Sequence, residues 1–276
     1  MQLQKASRKK ASIKMSLQGP SGSGKTYSAL LLSYGLTNDW SKIAVIDSEN
    51  HSSELYSHLG SYNVLNLTNY SPESYIKALE ACGQAGMQVI IIDSISHEWE
   101  YILEAHASLP GNSFTNWQKI GLRHKAFIQA ILGSKVHIIG TTRTKQDYVL
   151  NERNGKMVPE KVGLKAVQRE GLDYEITLVF DLNMKNSATA SKDRTGLFFG
   201  QPEQKLTIET GRAIYNWCNS GASISVDEVN TRINGSKSLG ELLDVYKQYP
   251  EYKEVLKKEY EDRKRTILIQ QNGVEV

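Results

Sequence analysis

A complete GxxxxGK[ST] phosphate-binding loop lies near the start of the sequence. Its residues are, in order, Gly19, Pro20, Ser21, Gly22, Ser23, Gly24, Lys25 and Thr26. The glycines allow backbone conformations that expose consecutive N–H groups to an anion, and the lysine neutralises the outer phosphates. Apolar alternation over residues 13–17 predicts a strand entering the loop, and the Ala- and Leu-rich residues 27–36 predict a helix leaving it. This context favours a nucleotide site over a glycine-rich surface turn, with the Thr26 hydroxyl on Mg²⁺.

Composition sets wide limits on the remaining chain. The 276 residues are enough for one large α/β domain with a small appendage. A net charge of +3 is too small to establish a polyanionic partner. Cys82 and Cys218 lie far apart, fit no metal spacing, and are typical of core thiols in a reducing cytosol. With no apolar run of membrane length, we expect a cytoplasmic protein, of phage or bacterial origin, that does not contact the membrane.

Apolar strand patterns alternate with helical ones after the loop. The strand patterns cover residues 42–47, 63–67, 87–93 and 136–140, and amphipathic helices are predicted between them. Strands that return in parallel across helices form a twisted sheet covered on both faces. The sequence therefore predicts an α/β fold with a mostly parallel sheet.

Past Thr141 the pattern changes. Asn154-Gly155 predicts a β-hairpin, and residues 176–182 and 188–191 are predicted to be antiparallel additions to the sheet. From about residue 226 the sequence predicts only helices, one of them opened by a capping box of Ser238 and Glu241. We expect a basic N-terminal tail over 1–12, an ATPase core over 13–222 and a C-terminal helical segment over 223–276.

Hydrolysis needs a second metal anchor and a group that activates water. Asp93 ends the most hydrophobic strand, so we expect it to hold Mg²⁺ through water, although capping of the following helix is an alternative. Ser94 follows where many hydrolases of this class carry a glutamate. The base is therefore expected to be Glu49, which lies just beyond strand 43–47, and we expect that strand beside the loop. Glu98 is the second candidate. An ordinary surface role for Glu49 stays open.

Three segments resemble the RecA/RadA recombinase core: Ile46-Asp47-Ser48-Glu49, then Tyr56 with Leu59-Gly60, then Ile90 to Ser94. The resemblance implies a RecA-like P-loop ATPase core in which Glu49 polarises the attacking water and Tyr56 stacks on adenine. Residues 190–194 resemble the family's late strand, which implies that Lys192 and Arg194 reach the γ-phosphate of a neighbouring subunit in a ring or filament. An exposed cationic strand edge is the alternative for this pair.

With residues 161–165 and 168–172 included, the sequence resembles short bacteriophage nucleotide-binding proteins more closely than the RecA/RadA core. Some of these phage proteins are single-strand annealing recombinases. The chain also departs from the RecA-like pattern. That family carries Asn or Gln where strand 136–140 ends, to sense the γ-phosphate, and this chain has Thr141, Thr142 and Arg143. The departure leaves open whether hydrolysis is coupled to DNA.

Basic residues outnumber acidic ones between 143 and 169, and one tyrosine adds an aromatic face. We expect these residues to follow and stack on single-stranded DNA; a solvated hairpin is the alternative. The candidate DNA-binding residues are Arg143, Lys145, Tyr148, Arg153, Lys156, Lys161, Lys165 and Arg169.

The sequence thus favours an ATP-dependent, oligomeric, single-stranded-DNA-binding protein of phage-type recombination, acting by annealing or strand exchange, with ATP and Mg²⁺ as cofactors. A single-strand-binding protein is a further candidate partner. One alternative is a nucleotide-switched loader or adaptor that binds a partner through residues 226–270. The other is a small-molecule (nucleotide) kinase, which would need an Arg-rich lid that the sequence lacks.

Overall fold

The structure is a computed structural model that describes residues 10–153, 156–169, 171–220 and 225–271; the side chains of 146–153 and 156–164, and those of residues 251 and 271, lie outside the description. The chain forms two compact units, one over residues 11–219 and a second that contains the helices beyond residue 220.

The larger unit is built on an eight-stranded sheet. Its strands are β1 (Lys14–Gly19), β2 (Ile43–Asp47), β3 (Asn63–Asn66), β4 (Val89–Asp93), β5 (His137–Arg153), β6 (Lys156–Ala166), β7 (Leu178–Leu182) and β8 (Ala188–Asp193). Its helices are α1 (Lys25–Thr37), α2 (Pro72–Gln84), α3 (Ser96–Ala107), α4 (Ser113–Gly133), the short α5 (Leu172–Glu175) and α6 (Ile208–Asn219). The order across the sheet is β3-β2-β4-β5-β1-β7-β8, and β6 pairs with β5 outside that path.

Helices cover both faces of the sheet, as the alternating pattern predicts. Along β4, Val89 and Ile91 pack into the core under α1, whereas Ile90 and Ile92 pack into the core under α2 and α4. A strand buried on both faces has no polar face, which is why β2 and β4 appear in the sequence as continuous apolar runs. The carboxyl ends of the parallel strands β1, β2, β4 and β5 therefore meet at one edge of the sheet, beside the phosphate loop.

Two expectations about strand arrangement are wrong. We expected β2 beside the loop's strand, but β4 and β5 lie between β2 and β1. We also expected residues 176–182 to be antiparallel, but β7 runs parallel to β1, and only β8, which pairs with β7, is antiparallel. Val167 bonds to Arg143 at the carboxyl end of the β5–β1 pairing, and Thr177 bonds to Lys14 at the amino end of β1. The segment through α5 therefore returns the chain along the sheet, and β7 enters it in the same direction as β1.

The predicted hairpin is present. Beyond residue 143, β5 leaves the sheet and pairs antiparallel with β6, from Thr144 opposite Ala166 to Arg153 opposite Lys156. Asn154 and Gly155, on which the prediction depended, lie outside the described residues. Between β2 and β3, where the sequence predicts an amphipathic helix, the chain forms a 3-10 helix, Ser52–Leu59.

The described helices of the second unit are α7 (Val226–Gly235), α8 (Leu239–Gln248), a 3-10 turn (Pro250–Tyr252) and α9 (Lys257–Gln271). These helices bury a small core of their own. Its buried members are Val229, Ile233, Leu242, Tyr249, Leu256, Tyr260 and Ile267.

The predicted cap at the start of α8 is half formed. The Ser238 hydroxyl accepts from the Glu241 N–H, but the Glu241 carboxylate accepts from the Lys237 N–H rather than from Ser238. The complete capping box belongs to α7, where Ser225 and Glu228 satisfy each other's backbone N–H groups.

Candidate functional site

The phosphate loop connects β1 to α1 with two glycines in the left-handed region, Gly22 (φ 80°) and Gly24 (φ 82°). Gly24 is the N-cap of α1, and no described side chain caps that end of the helix. Uncapped N–H groups at a helix N-terminus favour an anion. The Lys25 ammonium donates to the carbonyls of Gly19 and Pro20, each at 2.9 Å. The loop therefore has the geometry of a phosphate cradle.

Asp93 lies at the carboxyl end of β4 and is almost fully buried, with 2% of its surface exposed. Its Oδ2 accepts from the Thr26 hydroxyl at 2.6 Å, and its Oδ1 accepts from the Thr141 hydroxyl at 2.5 Å. Burial raises the pKa of Asp93 above its ordinary value, and these two hydrogen bonds oppose that rise. The second metal anchor expected from the sequence is thus in direct contact with the loop's own Thr26.

A hydroxyl and a carboxylate are hard oxygen ligands, which suit Mg²⁺. Among the described residues, no group of three or more His, Cys, Asp or Glu side chains could hold a metal ion. Mg²⁺ is usually bound through one or two protein oxygens, while phosphates and water complete its shell. The residues present at Thr26 and Asp93 therefore fit the ion.

Glu49 follows β2 by two residues, in a turn pinned by the buried carboxylate of Asp47. Asp47 accepts from the Glu49 N–H at 2.7 Å, from the Ser53 N–H at 2.9 Å and from the Ser53 hydroxyl at 2.5 Å. This turn aims Glu49 across the ends of β4 and β5 into the loop's cavity. Glu98, the second candidate base, lies elsewhere: it is buried against His124, whose Nδ1 is 2.9 Å from its Oε2.

The cavity beside the loop has a volume of about 850 Å³. Its described lining includes most of the loop, both acidic residues and an aromatic wall: Ser21, Gly22, Gly24, Lys25, Thr26, Tyr27, Ser28, Glu49, Ser52, Leu55, Tyr56, Asp93, Arg143, Thr144, Asn186, Lys205 and Leu206. The rings of Tyr27 and Tyr56 lie 5.9 Å apart. Tyr56 therefore lines the same cavity as the loop, and its expected contact with adenine stays a prediction.

The model of a protein family described as an AAA domain matches residues 11–212, which is most of the chain and nearly all of its larger unit. The chain belongs to this family. AAA domains are P-loop ATPase domains, in agreement with the loop geometry, the mostly parallel sheet and the position of Asp93. No curated protein sequence matches the chain at a significant level.

Burial lowers the pKa of Lys25 in this AAA domain, and the nearby carboxylates of Asp93 and Glu49 oppose that shift. Burial raises the pKa of Glu49, but hydrogen bonds and charge from Arg143 outweigh burial, so its pKa lies below the usual range. The site thus brings Lys25, Asp93 and Glu49 within electrostatic reach of one another, and the pKa shift of Glu49 favours its ionised form.

Arg143, one of the candidate DNA-binding residues, lines the nucleotide cavity. Its contact with DNA stays a prediction. Its Nε donates to Glu49 Oε1 at 2.9 Å and its Nη2 donates to Glu49 Oε2, which makes the pair bidentate. The physical reason is the period of two along β5: Thr141 and Arg143 point to the same side, one onto Asp93 and the other onto Glu49.

Asn186 was missed by sequence reasoning. It lies in the turn between β7 and β8 with φ 59°, and its Nδ2 donates to the Gly22 carbonyl at 3.1 Å. Lys205, also missed, is an exposed cation in the cavity wall. The only sequence signal for Asn186 is the tolerance of asparagine for the left-handed region in a turn, and this does not reveal that the turn reaches the loop.

Lys192 and Arg194 lie away from the nucleotide cavity of their own chain. The Lys192 ammonium donates to the Asp173 carbonyl and the Arg194 Nη2 donates to the Tyr174 carbonyl at 2.7 Å, so both cations meet the C-terminal carbonyls of α5. Burial and then the charge of Arg194 lower the pKa of Lys192. Their expected action on a neighbouring subunit stays a prediction.

The other candidate DNA-binding residues belong to the hairpin or its base. Lys145, Lys165 and Arg169 are exposed. The register places Lys145 opposite Lys165, Tyr148 opposite Lys161 and Arg153 opposite Lys156. The side chains of Tyr148, Arg153, Lys156 and Lys161 lie outside the described residues. Among the described residues, no helix combines the length and the apolar character needed to cross a membrane.

Proposed function

We propose that this protein is an ATP-dependent, oligomeric, single-stranded-DNA-binding ATPase of phage-type recombination, acting by annealing or strand exchange. The observation that carries the ATPase part is the convergence of Lys25, Thr26, Asp93 and Glu49 on one cavity. The resemblance of residues 46–49, 56–60 and 90–94 to the RecA/RadA core supports the recombination part.

In the proposed reaction, the loop N–H groups and the Lys25 ammonium bind the outer phosphates of ATP and neutralise their charge. Thr26 and Asp93 would hold Mg²⁺, and the ion would supply further positive charge against the phosphate oxygens. Glu49 orients the attacking water and accepts its proton as the new oxygen–phosphorus bond forms. The bond between the γ-phosphorus and the bridging oxygen breaks, and that oxygen leaves with ADP.

The hairpin supports DNA as the partner. Two of its cross-strand pairs, Lys145 with Lys165 and Arg153 with Lys156, place like charges directly opposite each other. A phosphate backbone carries negative charge at regular spacing, along which these cations can lie, and Tyr148 adds a ring on which a base can stack.

The test is the affinity of the full chain for labelled oligothymidylate across a range of salt concentrations. Replacing Arg153, Lys156 and Lys161 with alanine should weaken binding and reduce the slope of log affinity against log salt by about 2, because each phosphate that a cation neutralises adds about 0.7 to that slope. A matched control removes one exposed arginine and two exposed lysines elsewhere, namely Lys77, Lys135 and Arg212. Equal slopes for the two triple variants would refute the hairpin as the DNA site.

A nucleotide-switched loader is the second candidate, because the C-terminal unit carries its own exposed groove of about 500 Å³. Leu243 and Tyr246 line this groove and are 49% and 40% exposed. Under this alternative, ATP turnover should be slow and unaffected by oligothymidylate. Stimulation of turnover by oligothymidylate would exclude it.

A further inference from the structure

Arg143 holds both carboxylate oxygens of Glu49 in the bidentate pair already described. Glu49 is 23% exposed and Arg143 is 40% exposed, so both side chains stay open to the cavity. The nearest His97 nitrogen, Nε2, lies 4.0 Å from Glu49 Oε1, beyond a normal hydrogen bond. Two parallel N–H donors from a planar guanidinium fix the orientation of a carboxylate as well as its charge.

A carboxylate in such a pair is a weak proton acceptor. General-base catalysis becomes less efficient as the pKa of the base falls below the working pH, because the driving force for proton transfer falls with it. Arg143 shifts the pKa of Glu49 in that direction. The arrangement in the structure therefore restrains the group that the proposed reaction uses to activate water.

The backbone of Arg143 is equally constrained. Its N–H donates to the Ser96 hydroxyl at 2.9 Å, its carbonyl accepts from the Val167 N–H at 2.7 Å, and its Cα pairs with Gly19 of the phosphate loop. Thr144, the next residue, forms the first cross-strand pair of the hairpin. Arg143 thus lies where β5 leaves the sheet, with its side chain on Glu49 and its backbone tied to both hairpin strands.

We propose that Arg143 is a positioning residue that restrains Glu49 and releases it when a single-stranded DNA backbone binds the β5–β6 hairpin. This rests on the proposed function, and it assigns a role to the residue at which the sequence departs from the RecA-like pattern of Asn or Gln. Ligand binding shifts an equilibrium only as far as the ligand distinguishes the two states. DNA contacts that displace residues 144 and 166 would distinguish the restrained state of Glu49 from the released state. These residues lie at the strand ends that hold Arg143 in place.

The first experiment measures ATP turnover of the full chain with and without oligothymidylate. Wild type should be stimulated about 5- to 150-fold, the usual range of coupling between two sites. Arg143→Gln removes the charge and should raise turnover without DNA toward the stimulated level, so that the ratio falls toward 1. Arg143→Lys keeps the charge without the fork and should give an intermediate ratio. The double variant Glu49→Gln/Arg143→Gln should be as slow as Glu49→Gln alone.

The matched control is Arg123→Gln. Arg123 makes an exposed bidentate pair of the same kind with Glu73 between α4 and α2, at 2.8 and 2.7 Å. Its loss should leave turnover and stimulation unchanged. If Arg143→Gln lowers unstimulated turnover to that of Glu49→Gln, or keeps the wild-type ratio, the restraint is refuted.

The second experiment needs neither ATP nor DNA, so it separates failure of this inference from failure of the proposed function. Glutamate carboxyl carbons are labelled with ¹³C and titrated by NMR, and the Glu49 signal is assigned by its loss in Glu49→Gln. Glu49 should titrate at a higher pH in Arg143→Gln than in wild type and be unchanged in Arg123→Gln. Equal titration in Arg143→Gln and wild type would overturn the pair itself. A raised titration in a protein that DNA does not stimulate would leave the pair standing and refute the DNA-driven release.

Discussion

Helix α1, which follows the phosphate loop, packs against α6 with the two backbones in direct contact. Gly35 in α1 and Gly211 in α6 make this close approach possible. A Cβ built on Gly35 would lie 2.2 Å from the Ile208 carbonyl oxygen and 2.7 Å from the Gly211 Cα. A Cβ on Gly211 would lie 2.4 Å from the Leu32 carbonyl oxygen. Because the atoms met are backbone atoms on both helices, a rotamer change cannot relieve the clash. We predict that Gly35→Ala forces α1 and α6 apart.

Two effects set the size of the change. Alanine in a helix interior gains about 1 kcal/mol over glycine. Overpacking in a core costs about 1–3 kcal/mol, and three backbone contacts under 3 Å place Gly35→Ala at the upper end. Gly83→Ala in α2 isolates the first effect, because a Cβ there would meet no described atom within 4 Å. The free energies of unfolding of the two variants should therefore differ by about 3 kcal/mol, with Gly35→Ala the less stable.

The assay is urea unfolding followed by tryptophan fluorescence. All four tryptophans lie at positions 40–217, so the signal reports on the unit of residues 11–219. ATP affinity is measured in parallel, because α1 carries Lys25 and Thr26 and should misplace them when it shifts. If Gly35→Ala is as stable as Gly83→Ala, the close approach of α1 and α6 is wrong.

Two further predictions concern other residues. Burial lowers the pKa of Lys14 from 10.5 to about 8 while its amine donates to the carbonyls of Ser134 and Val136. Between pH 8 and 10.5 the folded chain has released a proton that the unfolded chain keeps, so stability increases with pH in this window. The free energy of unfolding of wild type should therefore rise by up to about 3 kcal/mol relative to that of Lys14→Met. A pH-independent difference between the two in urea unfolding would contradict this. If Lys192 and Arg194 act on a neighbouring subunit, mixing their double alanine variant with the Lys25→Ala variant should restore part of the missing ATP turnover. A mixture that stays inactive although mixed oligomers form would refute that action.

The sequence was sufficient for features set by local chemistry. The phosphate loop, Asp93 at the end of β4 and the hairpin depend on residues within a few positions of one another, and the structure has all three. The strand order could not be read in the same way, because nothing local in β2 records that β4 and β5 separate it from β1. The partner of Arg143 was missed for a related reason: Glu49 lies 94 positions away, and only the sheet brings the two together.

The proposed hydrolysis depends most directly on Glu49 as the group that activates water. The decisive measurement is ATP affinity and turnover for wild type, Glu49→Gln and Glu54→Gln, where Glu54 is an exposed carboxylate just beyond the same turn, bonded to His51. We predict that Glu49→Gln binds ATP with wild-type affinity and hydrolyses it about 10²- to 10⁴-fold more slowly, because an amide cannot accept the proton of water. Glu54→Gln should match wild type in both. Wild-type turnover in Glu49→Gln would contradict the role of Glu49 as the group that activates water.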